Sequence, residues 1–230
     1  MVKDNYSMVK EQVEKTAKLC GRDPKEITVI AVSKTKPLSD IEKLITIGVN
    51  DFGENKVQEL CDKYENVSKP VNFHLIGHLQ TNKVKYIVDK ACLNHSVDSL
   101  KLAKEIQKEA LKKQVIAQVI LEVNVANEVS KFGLSVEQVI PFIEEISKYS
   151  NIHVNGLMTI APFVDDPEEN RKYFRTLKQL SLDIISKNID NISMNVLSMG
   201  MTNDYKVAIE EGATMVRVGT AIFGARNYNV

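Results

Sequence analysis

Lys34 has the clearest potential for chemistry, because it ends the apolar run ITVIAVSK (27–34) and a proline turn follows at Pro37. At the end of a buried strand its side chain would be partly removed from water, which lowers the pKa of an amine and favours the neutral form. The neutral amine is the form that condenses with a carbonyl group to make a Schiff base. A solvated lysine at the start of a helix would fit the same position, and Lys36, in the turn, competes for the role.

A second set of candidates lies after two later apolar runs and consists of small or hydroxyl-bearing residues: Ser198, Gly200, Thr202, Gly219 and Thr220. The two glycines would allow backbone N–H groups to approach an anion closely. The three hydroxyl groups can donate hydrogen bonds to the same anion. Together these residue types indicate a phosphate site, although ordinary turns between a strand and a helix use the same residues.

Arg217 stands inside an apolar run, where its five hydrogen-bond donors need acceptors if the side chain is buried. One interpretation is a structural ion pair, with Glu54 or Asp204 as the partner. The other is a contact with an acceptor on a bound ligand, such as a pyridine nitrogen. The residue type alone leaves both open.

Further polar residues are expected near the ends of the second, third and fifth apolar runs. Asn55, His78 and Asn82 would all face the same opening. His74 and His78 are four residues apart and would share one face of a strand, but no carboxylate or third ligand stands at a suitable spacing, so no metal site is predicted. Asn124 is a further candidate at this opening and would equally cap a turn.

A repeating pattern of strand and helix positions these residues. Eight apolar runs are interpreted as strands, at 27–34, 49–55, 72–78, 92–98, 115–125, 151–160, 194–200 and 214–220. Helical stretches fit at 3–20, 38–48, 56–65, 81–90, 98–113, 135–149, 167–188 and 203–211. Runs that are apolar at consecutive positions are typical of parallel strands buried on both faces.

The pattern predicts an α/β fold, a single (β/α)8 TIM barrel domain over residues 1–230 with an extra N-terminal helix. No helix is predicted after the eighth strand, and the helix at 3–20 would take that place in the outer ring. An open doubly wound sheet is the competing fold, but its glycine-rich fingerprint is absent after the first strand. Function in such barrels lies at the carboxyl ends of the strands, where the candidate residues stand.

Composition excludes several functional classes. The chain has 30 basic and 30 acidic side chains and a formal net charge of +0, which gives no general attraction to nucleic acid or to an anionic membrane. No apolar run reaches transmembrane length, and the charged N-terminus lacks the apolar stretch of a signal peptide. The 3 cysteines have no paired spacing, which argues against a disulfide framework or a zinc site and favours the cytoplasm.

With these residues placed, the sequence resembles the pyridoxal phosphate homeostasis protein family, also called the proline synthetase co-transcribed protein family. The resemblance covers nearly every strand end, in family order, along the whole chain. The matching stretches are AVSKTKP (31–37), FGENKVQEL (52–60), FHLIGHLQTNK (73–83), HSVDS (95–99), LEVNV (121–125), GLMTIAP (156–162), LSMGMTNDY (197–205) and VRVGTAIFGAR (216–226). No single stretch is decisive, but the set is highly specific.

The resemblance implies a barrel like the N-terminal domain of alanine racemase, with pyridoxal 5′-phosphate (PLP) held as a Schiff base on Lys34. It implies that Arg217 faces the pyridine nitrogen and that Asn55 lies beside the ring. An arginine stays charged, so the facing nitrogen would remain unprotonated and the ring would be a weaker electron sink.

The resemblance also implies which residues hold the cofactor phosphate. Ser198, Gly219 and Thr220 would contact it, with the backbone around Met201 and Thr202 nearby. Thr202 stands where the family often has serine, which keeps the hydroxyl group.

The implied function is intracellular PLP homeostasis without strong catalytic activity. The protein would sequester a reactive aldehyde and deliver it to PLP-dependent apoenzymes. Racemases of the related fold use a second domain that supplies a catalytic tyrosine across a dimer interface. The chain has no room for such a domain after the eighth strand, so a monomer is expected.

Other functions remain open. A PLP-dependent amino-acid racemase of modest activity would use Lys34 on one face of its substrate and Tyr205 or His78 on the other. A Schiff-base aldolase would use the same lysine and phosphate site with a sugar phosphate. A partner-binding protein would carry PLP only incidentally. A separate hypothesis is that Lys36 or Lys131 takes the cofactor transiently during transfer.

Overall fold

Eight parallel strands close into a barrel in the order of the chain. The structure, a computed structural model, describes residues 1–128 and 131–225. The strands are Thr28–Val32 (β1), Asp51–Glu54 (β2), Asn72–Leu75 (β3), Leu93–Val97 (β4), Ala117–Glu122 (β5), Ile152–Met158 (β6), Ile192–Met201 (β7) and Met215–Val218 (β8). β8 pairs with β1 and completes the ring, so the predicted (β/α)8 barrel is confirmed. A single domain over 1–230 includes residues outside the described ranges and stays a prediction.

Helices cover the outside of the barrel. They are Val2–Leu19 (α1), Leu38–Ile45 (α2), Val57–Asn66 (α3), Val84–Ile87 (α4), Leu100–Lys113 (α5), Val136–Ile146 (α6), Arg171–Ser186 (α7), Tyr205–Glu210 (α8) and Thr220–Phe223 (α9). Short 3-10 turns lie at Pro24–Glu26, Thr81–Lys83 and Pro167–Asn170, so the helix predicted at 81–90 is a 3-10 turn followed by one turn of α-helix. Among the described helices, none combines the length and the apolar character that crossing a bilayer requires.

The N-terminal helix α1 closes the outer ring next to the last strand. Val9, Val13 and Ala17 repeat every four residues on its buried face, and the helix packs against α2, α8 and α9. The predicted extra helix is confirmed, but the expectation that no helix follows the eighth strand is wrong. α9 begins at Thr220, one residue after the end of β8, and ends at Phe223, and its four residues are too few to show a periodic pattern in the sequence.

Most strand residues are buried, on both faces of the barrel wall, which explains the consecutive apolar residues. Val29 and Phe52 belong to the main core between strands and helices. Ile30 and Ile76 lie on the opposite face and fill the barrel together. A Cβ atom at Gly53 would stand 3.0 Å from both of their side chains, so glycine leaves room for them. Alternate residues of each strand therefore point into the barrel, and the last of them reach its mouth.

Candidate functional site

A cavity of about 240 Å³ opens at the carboxyl ends of the strands. The predicted site residues in its wall are Lys34, Asn55, Met201, Thr202, Arg217, Gly219 and Thr220. The wall is completed by Val32, Ile76, Ile160, Phe163 and Asn203. The barrel thus brings together side chains from the ends of β1, β2, β7 and β8, as the position of function in this fold predicts.

Lys34 lies two residues after the end of β1 and faces the inside of the barrel mouth. Val32 and Lys34 both line the cavity, because alternate residues of an extended chain point to the same side. The chain then turns away. Thr35 has a φ of 64°, in the left-handed region that β-branched residues rarely adopt, and the N–H of Lys36 donates to the Ser33 carbonyl at 3.0 Å. Lys34 itself is half-buried, in agreement with the expected partial removal from water.

A buried ion-pair network fixes this turn. The Lys63 ammonium group donates to the Ser33 carbonyl at 2.8 Å and to the carboxylates of Glu54 and Glu59, both at 2.7 Å. The Ser33 hydroxyl also donates to Glu54 at 2.6 Å, and the N–H of Thr35 donates to Glu59 at 2.6 Å. The residues on both sides of the cavity lysine are therefore held by charged groups.

Glu54 is fully buried, and this burial raises the pKa of its carboxyl group although the charge of Lys63 opposes the effect. Its second oxygen, Oε2, has no hydrogen-bond partner among the described residues. This network was not predicted from the sequence. The available signal lay on α3, where Lys63 falls at three-residue spacing after Val57 and Leu60, on the buried face of that helix.

Arg217 is 4% exposed and is held by neutral acceptors. Its Nη1 donates to the carbonyl oxygen and to the hydroxyl oxygen of Ser198, both at 2.7 Å, and its Nη2 donates to the Thr159 carbonyl at 2.8 Å. Burial lowers the pKa of Arg217 to about 10, and the negative charges of Asp204 and Glu122 oppose that decrease. The side chain therefore remains a cation at neutral pH.

The ion pair suggested between Arg217 and Glu54 or Asp204 does not form. Glu54 points out of the barrel, because its neighbours in the strand point inward, and it pairs with the lysine of α3. Asp204 accepts hydrogen bonds from the Asn170 side chain at 2.8 Å and from the N–H of Met201 at 2.7 Å. Both carboxylates are thus engaged elsewhere.

Ser198 connects Arg217 to two buried histidines. His95 Nδ1 lies 3.0 Å from Ser198 Oγ, His95 Nε2 lies 3.0 Å from His74 Nδ1, and His74 Nε2 lies 3.1 Å from Asp51 Oδ1. Burial, together with the positive charge of Arg217, holds the pKa of His95 well below its ordinary value. We call this series of hydrogen-bonded side chains, Asp51–His74–His95–Ser198–Arg217, the interior relay.

Two of the residues predicted at the phosphate lie elsewhere. Ser198 is fully buried and is absent from the cavity wall, because β7 continues to Met201 and Ser198 is three residues short of its end. Gly200 has a φ of 89°, and a Cβ atom there would stand 2.6 Å from the Cβ of Ala208, so this glycine serves packing against α8. The geometry therefore removes Ser198 and Gly200 from the predicted phosphate site.

Several other polar candidates make structural contacts. His78 does not share a face with His74, because it follows the end of β3; it is exposed and stacks on Phe132 with 3.9 Å between the ring centroids. Asn124 closes a turn, donating to the Glu128 carbonyl at 2.9 Å and accepting from the Glu128 N–H at 3.1 Å. Neither side chain belongs to the wall of the main cavity.

The remaining candidates also lie outside that wall. Asn82 is exposed on a 3-10 turn, and Tyr205 is buried at the start of α8. Lys36 donates to the carbonyls of residues 223–225, and Lys131 forms an ion pair with a nearby glutamate. Over 1–128 and 131–225, no group of three or more His, Cys, Asp or Glu side chains is arranged to hold a metal ion.

Glu122 is a buried carboxyl group that sequence analysis missed. It ends β5 and lines a smaller cavity of about 170 Å³, which shares Ile160 with the main cavity. Burial, aided by the negative charge of Asp98 and opposed by the positive charge of Arg217, raises the pKa of Glu122 to about 7. Its carboxyl group is therefore close to half-protonated at neutral pH.

The main cavity presents a defined set of groups to a ligand. Lys34 supplies an amine that can react with a carbonyl group. Arg217 uses three hydrogen bonds to protein acceptors, and a guanidinium group has five donors, so donors remain for an acceptor in the cavity. The hydroxyl groups of Thr202 and Thr220 and the backbone at Gly219 suit an anionic group. The set fits a ligand with a carbonyl group, a ring acceptor and an anion.

Comparisons with known proteins agree with this geometry. The chain matches the family described as "Alanine racemase, N-terminal domain" over residues 4–227. It is 42% identical over 226 residues to a pyridoxal phosphate homeostasis protein of Aquifex aeolicus, covering 98% of each chain. Its structure resembles that of PipY from Synechococcus elongatus with PLP bound, with a TM-score of 0.81, 30% identity and coverage of 92% and 99%. An alanine racemase of Clostridium difficile shares the fold at 17% identity, with a TM-score of 0.72 and coverage of 94% and 59%.

Proposed function

The chain belongs to the alanine racemase N-terminal domain family and, within it, to the pyridoxal phosphate homeostasis proteins, and from this premise we propose that its cavity holds PLP as a Schiff base on Lys34. The function is PLP homeostasis: the protein sequesters the cofactor and delivers it to PLP-dependent apoenzymes. The observation that supports the proposal is one cavity wall containing Lys34 with Arg217, Gly219 and Thr220.

Each group in the wall has a proposed role toward the cofactor. The Lys34 amine holds the PLP aldehyde reversibly, which suits a protein that must release what it binds. Arg217 is buried and cationic, and it faces the ring nitrogen. Asn55 lies beside the ring. The positive charge of Arg217 next to the ring nitrogen keeps that nitrogen unprotonated. The ring therefore withdraws electrons less strongly than in PLP enzymes that protonate the nitrogen.

The phosphate is assigned to the β7–β8 side of the wall. Thr202 and Thr220 donate their hydroxyl groups, and the backbone around Met201 and Gly219 completes the contact. The buried Ser198 is reassigned to the interior relay, where it binds Arg217 rather than the phosphate.

We propose that the protein has no strong catalytic activity. Racemisation needs an acid and a base on opposite faces of the substrate. In the part of the chain that the structure describes, Lys34 and Arg217 are the titratable side chains in the cavity wall. Tyr205 and His78, the two candidates for a second group, lie outside it. A weak racemase remains the alternative that turnover of a chiral amino acid, abolished by Lys34→Ala, would support.

We propose a cytoplasmic monomer whose partners are PLP and PLP-dependent apoenzymes, with no nucleic acid or membrane partner. Cys20, Cys61 and Cys92 are free thiols, which fits a reducing compartment. A further hypothesis is that Lys36 or Lys131 accepts PLP during delivery. If Lys36→Ala and Lys131→Ala both release PLP to an apoenzyme at the wild-type rate, this hypothesis is wrong.

Absorption spectroscopy tests the central assignment. The purified protein mixed with PLP is expected to show a visible band that borohydride removes, with a pyridoxyl adduct mapped by peptide mass spectrometry to Lys34. Lys34→Ala is expected to lose both signals. Lys36→Ala is the matched control, because it removes an amine two residues away that lies outside the cavity wall, and it should keep them.

Two outcomes would contradict the assignment. A colourless protein that takes up no added PLP would reject cofactor binding. If borohydride then trapped an adduct only in the presence of a sugar phosphate, the Schiff-base aldolase would replace the proposal. An adduct on a lysine other than Lys34 would reject the site.

A further inference from the structure

The interior relay crosses the barrel from its amino-terminal end to the cofactor cavity. Asp51 is the first residue of β2 and is partly exposed, with 27% of its side chain accessible. His74 and His95 are buried between it and Ser198, and Arg217 at the other end lines the cavity. Each neighbouring pair lies within hydrogen-bond distance, so the relay is continuous.

The carboxylate end of the relay determines which nitrogen of each histidine carries a proton. Burial raises the pKa of Asp51, but hydrogen bonds from His74 and Asn72 outweigh it, so the pKa lies below its ordinary value and the group is ionised at neutral pH. A carboxylate only accepts, so His74 Nε2 must donate. If His74 Nδ1 is the acceptor in the contact between the two histidines, His95 Nε2 donates to it. His95 Nδ1 is then an acceptor as well.

The arginine end selects this arrangement. The Ser198 hydroxyl oxygen accepts from Arg217 Nη1, because arginine can only donate. The hydroxyl hydrogen then needs an acceptor inside a fully buried site, and His95 Nδ1 at 3.0 Å provides it. If His95 Nδ1 were protonated instead, the hydroxyl hydrogen would be left without that acceptor.

Every hydrogen bond of the relay therefore has the same direction. Each donor points away from Arg217 and towards Asp51, so each lone pair faces the cation. A buried cation without a paired carboxylate is costly, and such an aligned chain links it to a distant counterion.

We propose that Asp51, acting through His74, His95 and Ser198, is a distant counterion of Arg217 and that the relay positions the arginine against the ring of the bound cofactor. The four residues are positioning residues, since Arg217 alone among the relay residues lines the cavity. The assignment of the ring rests on the proposed function, whereas the protonation pattern rests on the protein alone.

Nitrogen-15 NMR of the histidine side chains in the PLP-free protein tests the pattern directly. The chain has 4 histidines, and His78→Gln and His153→Gln, both outside the relay, assign the other two signals. We expect His74 and His95 each to carry a proton on Nε2 and none on Nδ1. A proton on Nδ1 of His95, or a doubly protonated His95, would overturn the relay.

Asp51→Asn tests the counterion in the PLP-loaded protein. The amide oxygen can still accept from His74, so the substitution removes charge and keeps the hydrogen bond. With one negative charge fewer in the protein, the midpoint pH of the visible absorption change is expected to fall by about half a unit, because a negative charge favours the protonated form even at long range. Asp89→Asn is the matched control, because Asp89 pairs with a surface lysine and lies outside the relay.

Other titratable groups near the relay are unchanged in both variants: Tyr6 and Cys92 at the Asp51 end, and Glu122 and Asp204 at the Arg217 end. If the visible absorption of Asp51→Asn depends on pH in the same way as that of Asp89→Asn and of the wild type, the counterion role is refuted. If Asp51→Asn does not fold, the wild-type NMR measurement decides. If the protein takes up no PLP, the proposed function fails while the NMR measurement still tests the relay.

Discussion

Replacing Lys63 with methionine removes the cation of the buried network while keeping most of the side-chain volume. Glu54 is completely buried, and its remaining partner would be the Ser33 hydroxyl. Removing one partner of a buried ion pair leaves a buried charge uncompensated and costs about 3–5 kcal/mol. At about 2–4 °C of melting temperature per kcal/mol for a chain of this size, Lys63→Met should melt roughly 6–20 °C below the wild type.

The comparison needs a surface control and a double variant. Lys90→Met breaks the exposed pair with Glu65, in which the two side chains are 24% and 62% accessible, and should cost less than about 1 kcal/mol. Adding Glu54→Gln to Lys63→Met removes the buried charge and should restore a large part of the lost stability. The double-mutant cycle should give a coupling free energy of about 2 kcal/mol or more.

The pH dependence provides a second check on the cause. Without Lys63, the pKa of Glu54 in the folded protein rises further above its unfolded value. A group whose pKa is raised on folding contributes stability at low pH and loses it as the pH rises. The deficit of Lys63→Met should therefore be small near pH 4–5 and grow towards pH 8. A deficit below about 1 kcal/mol at pH 8, or one independent of pH, would refute the reasoning.

Two further predictions concern packing and protonation. Gly200→Ala should destabilise the protein by about 2–4 kcal/mol, because it adds a clash with Ala208 to a left-handed φ. Gly48→Ala is the control: Gly48 has a φ of 84° and nothing lies within 4 Å of its added Cβ, so the substitution should cost only about 1 kcal/mol. Equal losses of the free energy of unfolding in urea denaturation would contradict this prediction. Glu122→Gln should become increasingly more stable than the wild type as the pH rises from about 4.5 to about 7, because burial raises the Glu122 pKa to about 7. Melting curves at pH 5, 6, 7 and 8 measure this difference, and a constant difference would show that Glu122 does not titrate in that range.

The order of elements could be predicted from the chain because the signals are local. Strands buried on both faces show consecutive apolar residues, and the helices between them show a three- to four-residue spacing of buried positions. The same locality explains why Lys34, Asn55 and Arg217 could be predicted to lie together in one cavity wall: each stands at or near the end of such a run, and a parallel barrel collects those ends at one mouth.

The errors arose where the depth of a residue within its strand mattered. Ser198 was expected at the mouth, but β7 runs three residues further and passes through an irregularity before Met201. Ser198 is therefore inside the barrel, bonded to Arg217. Local patterns place a strand to within a few residues, and in a strand a shift of one residue reverses the direction of the side chain.

The class of fold and the chemical groups available at the mouth follow from the order of residues alone, because hydrophobic patterning and residue type are properties of short segments. The tertiary structure alone decided which buried polar groups meet. Ser198 and His95 are separated by 103 positions, and Asp51 and His74 by 23. Such partners come together only when the barrel closes. A buried donor must then take whichever acceptor the closed barrel places within about 3 Å, and no local pattern in the chain encodes that distance.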